Sequence, residues 1–265
     1  MKRDIWNVVK YFLMYWVFYL LPVIVAAVVM RIYERKTGLD IDIREGGTEY
    51  WFVVLGAVLG VFFFLKWKYA EWKLGRIRRE RMLHVIAVSV AVALGWFFFD
   101  FFLQDTFDLE GGHAEEKVDE GLGLAEILLA SIAAPLLEEV VFRGAILRGL
   151  LKIFKAPWLP LVISSVLFGV SHLNEAQMFS ATLWGLVIGW VYYRTQSLLP
   201  CVVMHVVNNS LATLLELVLS DSALEALDAV SDSSFFAGEL VLAVVGLAIV
   251  AFGITYLCRT LSNFS

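Results

Sequence analysis

Twenty consecutive residues, YFLMYWVFYLLPVIVAAVVM from Tyr11 to Met30, carry no charge. A hydrocarbon layer of ~30 Å requires ~20 apolar residues in a spanning helix, so this run can cross a bilayer. Similar runs follow over roughly 50–66, 84–103, 122–149, 157–175, 178–194, 198–219 and 238–258. They are apolar throughout, without the two-residue alternation of a transmembrane strand, and a helix satisfies its own backbone polar groups inside lipid. Composition agrees: 60% of the 265 residues are hydrophobic, 18% are charged and the mean hydropathy is +0.77, against an apolar share of about 45–50% in soluble domains. The expected fold is all-α, a polytopic membrane protein built as a bundle of about eight transmembrane helices. With no internal repeat or low-complexity linker, 1–265 reads as a single integral membrane domain.

Lysine and arginine set the expected orientation. With the N-terminus inside, sixteen of the twenty-one basic residues fall on the inner side, seven of them in KWKYAEWKLGRIRRER, residues 66–81. The outer loops hold the other five together with acidic stretches such as QDTFDLEGGHAEEKVDE, residues 104–120. Both termini are therefore expected in the cytoplasm, in a multi-pass protein of the cell membrane. The basic run 66–81 reads as a topology signal with some attraction to anionic lipid. The N-terminal run lacks a small-residue cleavage site and exceeds the length of a signal peptide's apolar region, so it reads as an uncleaved first span. Cys201 and Cys258 lie in hydrophobic runs and suggest packing, with no disulfide framework.

Against this background the segment APLLEEVVFRG, Ala134 to Gly144, is anomalous. On insertion scales Glu138, Glu139 and Arg143 together cost roughly 9 kcal/mol at mid-membrane, while the fourteen Leu, Ile, Val and Phe residues between Leu122 and Leu150 return about 6 kcal/mol. The polar face must turn into the bundle, where an ionisable group marks a functional site by default. Glu139 and Arg143 are i and i+4, close enough to pair, whereas Glu138 lies ~100° around the helix and is left to face something else. Two more apolar helices carry polar groups: His172, four residues after Phe168, and His205 with Asn209 on one face at i, i+4. Several such groups in one dry core each need a partner.

The ordered set E-E-x-x-x-R (Glu138, Glu139, Arg143), F-x-x-x-H (Phe168, His172) and H-x-x-x-N (His205, Asn209) resembles the CPBP family, which comprises type II CAAX prenyl endopeptidases and related membrane proteins, also called Abi. The resemblance covers about 122–219 and implies an intramembrane peptidase with its catalytic core there. By that resemblance, Glu138 and His172 activate the attacking water, Glu139 with Arg143 orients the site, and His205 with Asn209 stabilises the oxyanion. The implied partners are membrane lipid and a membrane-associated or lipidated peptide substrate, prenylated in the CAAX case; no nucleic acid is expected. Peptide hydrolysis needs a base for water, an acid for the leaving amine and donors for the tetrahedral oxygen, and this set supplies each.

An alternative is zinc held by Glu138, His172 and His205. No H-E-x-x-H helix is present and these ligands are dispersed over three helices, so no cofactor is the favoured expectation. Two noncatalytic classes stay open: a membrane scaffold or bacteriocin-immunity-type protein of the same fold, and a proton-coupled transporter, disfavoured by the lack of inverted repeats. Glu126, Glu216, His84 and His113 are expected to be interfacial or solvated, and Phe168 to pack behind His172. Depth poses a constraint. Glu138 lies ~24 Å below the outer end of its expected helix and His172 ~22 Å above the inner end of the next, which predicts helices offset and tilted, with a site opening toward the cytoplasm.

Overall fold

The computed structural model describes residues 2–38, 47–106, 123–218 and 233–262. His113 and most of the acidic stretch 104–120 lie outside them. The described residues form α1 (Lys2–Thr37), α2 (Thr48–Lys66), α3 (Met82–Thr106), α4 (124–153), α5 (Trp158–Val170), α6 (Glu175–Thr195), α7 (Leu198–Val218) and α8 (Ser233–Ser262), with no strand among them. The all-α polytopic architecture expected from the runs is the one observed.

Five segments are long and apolar enough to cross a membrane: Asp4–Thr37, Thr48–Lys66, Arg79–Gln104, Leu198–Val218 and Gly238–Leu257. Only 11–33% of each is buried inside the protein. The outward surface is studded with residues such as Leu13, Val17, Phe62, Val241 and Phe252. An apolar belt of this extent is a liability in water and a requirement in lipid. The remaining three helices differ for visible reasons. α4 carries the polar trio, α5 has thirteen residues and spans only ~20 Å, and α6 is diluted by Gln177, Ser180, Thr182 and its glycines.

Where lipid surrounds a bundle, close packing holds the helices together. α1 packs on α2, α3 on α7 and α8, and α5 on α6. At the crossing of α3 and α8, a Cβ on Gly246 would lie 2.3 Å from the carbonyl oxygen of Gly95, and one on Gly95 would lie 2.6 Å from that of Gly246. Only hydrogen fits at both positions. A polar tie joins α3 to α6, with Ser180 Oγ donating to Asp100.

The boundary between α5 and α6 corrects one expectation. α5 stops at Val170, so His172 sits in the turn that follows and not at the end of a helix. Leu173 takes a left-handed φ of 58° in that turn. Asn174 then caps α6, its side chain accepting from the Gln177 N–H at 3.1 Å. The depth constraint eases as well, because α4 continues to Ile153 and α5 is short. Counted from the ends that share the basic loops, His205 lies ~10 Å, Phe168 ~15 Å and Glu139 ~21 Å into their helices.

Candidate active site

α4 is an interrupted helix, and the interruptions follow from its sequence. Pro135 has no N–H, and in the turn before it the Ala134 N–H reaches back five residues to the Leu129 carbonyl. The Ala130 carbonyl thereby loses both of its helical donors, one engaged elsewhere and one absent. Asn209 fills the gap, with Nδ2 donating to the Ala130 oxygen at 3.1 Å. A second widened segment, Glu139–Leu147, follows and is buried at every residue. Wide turns of this kind recur at functional sites because they re-aim side chains.

The polar trio turns inward, as its insertion cost demands. Arg143 Nη1 donates to Glu139 Oε1 at 2.9 Å, which is the i, i+4 pair expected from spacing. Nη2 of the same guanidinium donates to the Gly185 carbonyl of α6 at 3.3 Å, and its carbon lies 4.4 Å above the Phe168 ring. A desolvated cation is thus met by a carboxylate, a carbonyl and an aromatic face. All three charged residues are at most 6% exposed.

His205 of α7 sits between the two glutamates. Its Nδ1 lies 2.7 Å from Glu139 Oε1, and its Nε2 lies 3.6 Å from Glu138 Oε2. The first contact is a hydrogen bond in which Nδ1–H donates to a carboxylate already paired with Arg143, fixing the ring orientation. The second is beyond direct hydrogen-bonding range, a separation at which a water beside both groups can bridge them. Glu138 Oε1 accepts from the hydroxyl of Tyr15 at 3.1 Å. Tyr15 belongs to α1, is 3% exposed and packs edge-on against Phe142 with ring centroids 5.3 Å apart.

His172 reaches the cluster through Phe168. The rings of His172 and His205 both stand nearly perpendicular to that phenyl ring, at 5.0 and 5.5 Å. His172 Nδ1 lies 3.0 Å from the Phe168 carbonyl. A carbonyl only accepts, so Nδ1 carries a proton, and Nε2 is the ring nitrogen left for other contacts. Phe168 has the packing part expected of it and extends it, backing His172, His205 and Arg143 together.

Of the six expected site residues, Glu138, Glu139, Arg143 and His205 are brought into one contact network, with His172 joined to it through Phe168. Asn209 shares the face of His205 but directs its amide to the backbone of α4. Among the described residues no three His, Cys, Asp or Glu side chains are grouped so as to hold a metal ion. Tyr15 and the Gly185 carbonyl were not foreseen. The sequence signal for Tyr15 is weak, one of three tyrosine hydroxyls with Tyr11 and Tyr19 in the first half of an apolar span, and a backbone carbonyl leaves none. Of the polar residues expected to be peripheral, His84 and Glu216 are exposed and Glu126 is half-buried. Cys201 is buried in α7, in line with a packing part.

Residues 120–211 match the family model described as type II CAAX prenyl endopeptidase, Rce1-like. The chain is also 30% identical over 91 residues to a Bacillus subtilis (strain 168) protein named "Putative membrane peptidase YdiL". That match spans 34% of this chain and 37% of the relative. No solved structure matches. The matched segment contains every residue of the three motifs and leaves out α1, α2, α3 and α8. This multi-pass membrane chain is therefore similar, over its motif-bearing part, to a family of membrane proteases.

Proposed function

We propose that the chain is an intramembrane endopeptidase that hydrolyses a peptide bond of a membrane-associated substrate, with Glu138 as the base. The observation that carries this reading is the seat of His205, hydrogen-bonded to the neutralised Glu139–Arg143 pair on one side and 3.6 Å from Glu138 Oε2 on the other. A water held beside Oε2 and His172 Nε2 gives up a proton to Glu138 as its oxygen adds to the scissile carbonyl. His205, in its protonated form, stabilises the oxygen anion that results. Glu138 then returns the proton to the leaving amine as the C–N bond breaks, so one water is consumed and one carboxylic acid and one amine are released. Tyr15 holds Glu138 in place throughout. Asn209 contributes by fixing α7 to the wide turn of α4. None of these steps uses a metal.

The substrate class follows from the surroundings. A site inside a lipid-facing bundle suits a lipidated or transmembrane peptide, including the prenylated CAAX type that gives the matched family its name. The basic loops indicate a cell-membrane orientation with both termini in the cytoplasm.

The test is cleavage of a reporter peptide library, free and prenylated, by purified protein. Wild type is expected to cut, while Glu138→Ala and His205→Ala insert normally and do not. Activity should survive a chelator. Equal products from wild type and Glu138→Ala would overturn the reading in favour of a noncatalytic scaffold, and loss of activity in chelator would replace the base mechanism with a metal one.

A further inference from the structure

On the side of the bundle where α4 ends and α5 begins, about 20 Å from Glu139 along α4, lies a pocket of about 280 Å³ whose lining includes Arg76, Arg148, Lys152, Lys155, Tyr193 and Gln196. Four of these are cations and none of the lining residues is acidic. Arg148 is met by Glu71 from outside the lining, and the three other like charges repel each other unless an anion lies among them. The volume falls just below the ~300–1,000 Å³ of small-molecule sites, enough for a compact anionic group.

The backbone that carries Arg76 and the side chain of Arg148 are held by built structure. The loop after α2 is clamped to the turn between α6 and α7: Arg76 N–H donates to the Thr195 carbonyl at 2.7 Å, and Ser197 Oγ donates to the Lys73 carbonyl at 2.8 Å. Gly75, at φ 62°, makes the clamp possible, since a Cβ there would lie 2.2 Å from the Gln196 carbonyl oxygen. Arg148 is steadied by Glu71, whose carboxylate also takes Lys73. Lys152 and Lys155 are exposed on the rim.

The level of the pocket identifies its occupant. Trp158, 64% exposed, stacks on Trp190 at 5.0 Å, and Trp190 packs against pocket-lining Tyr193 at 5.5 Å. Exposed aromatics of this kind sit at the headgroup layer, and the pocket occurs at helix ends on the side of the basic loops. We propose that this pocket binds the phosphate of an anionic lipid headgroup, with Arg148 as its fixed floor and Arg76, Lys152 and Lys155 as its rim. The site is separate from the peptidase reading and does not depend on it.

Calorimetric titration of the full-length protein in nonionic detergent with dihexanoyl phosphatidic acid tests this. Each cation near an anionic lipid surface is worth about fivefold in affinity, so Lys152→Ala/Lys155→Ala is expected to bind ~30-fold more weakly than wild type, and Lys152→Arg/Lys155→Arg to bind like wild type. Dihexanoyl phosphatidylcholine should not bind. Unchanged affinity in the alanine pair, or equal binding of phosphatidylcholine, would overturn the proposal. Displacement by inorganic phosphate at equal concentration would overturn it too, and assign the pocket to a water-soluble phosphate.

Discussion

Replacing Arg143 by leucine should be far more damaging than replacing Arg143 and Glu139 together. The guanidinium meets three partners: the Glu139 carboxylate at 2.9 Å, the Gly185 carbonyl at 3.3 Å and the Phe168 face at 4.4 Å. Leucine in its place leaves a carboxylate that is 0% exposed with only the imidazole of His205 against it. Stranding one member of a buried ion pair costs about 3–5 kcal/mol, whereas exchanging both members for apolar groups of similar volume is close to neutral or favourable. At ~2–4 °C per kcal/mol for a chain of this size, Arg143→Leu should lower the thermal midpoint in detergent by roughly 6–20 °C. Glu139→Leu should behave similarly, because it strands the guanidinium. The double variant Glu139→Leu/Arg143→Leu should then recover most of the loss, giving a coupling of at least ~2 kcal/mol in a double-mutant cycle followed by intrinsic tryptophan fluorescence. If the double variant lost the sum of the two single losses, the pair would not be acting as a neutralised unit, and the account of how His205 is oriented would fail with it. The double variant should also be inactive, since nothing then holds Nδ1 of His205.

Two further outcomes follow from the same geometry. Tyr15→Phe keeps the ring that packs on Phe142 but removes the donor to Glu138; a hydrogen bond to a charged group is worth about 1.5–3 kcal/mol, so peptide cleavage should fall roughly 10- to 100-fold in kcat/KM, and an unchanged rate would remove Tyr15 from the site. In the loop after α2, Lys73 and Arg148 hold the Glu71 carboxyl down from 4.5 to about 2. Its folded pKa lies below the unfolded value, so its contribution to stability is complete above pH ~4.5 and disappears as the pH falls through ~2. Glu71→Gln should flatten the thermal midpoint across that window, which a pH series of melting curves would read.

The parts of this site that sequence spacing reaches are those lying on one helix. Glu139 and Arg143 pair because four residues bring side chains to one face, and the acid pair had to point inward because lipid penalises it. The same periodicity placed His205 and Asn209 on a common face, yet could not reveal that one turns to the carboxylates and the other to a backbone carbonyl. That division depends on Pro135, whose missing N–H frees the Ala130 oxygen; the proline was visible, but the widened turn before it is a tertiary outcome. The end of α5 could have been read from Asn174 and Gln177, a capping signal hidden behind an apolar run. Tyr15 was out of reach for another reason. It lies 123 residues from Glu138 in a span where tyrosine ordinarily reads as packing, and only the crossing of α1 and α4 joins them.

That crossing bears on how the molecule is made. Chains enter the membrane N-terminal end first, so when the segment with the two glutamates enters the bilayer, Tyr15 is already there while the helix bearing His205 still has to follow. The phenol is then available as an early companion for Glu138 and Arg143 as one for Glu139, which shelters the acids until α7 brings its imidazole beside them.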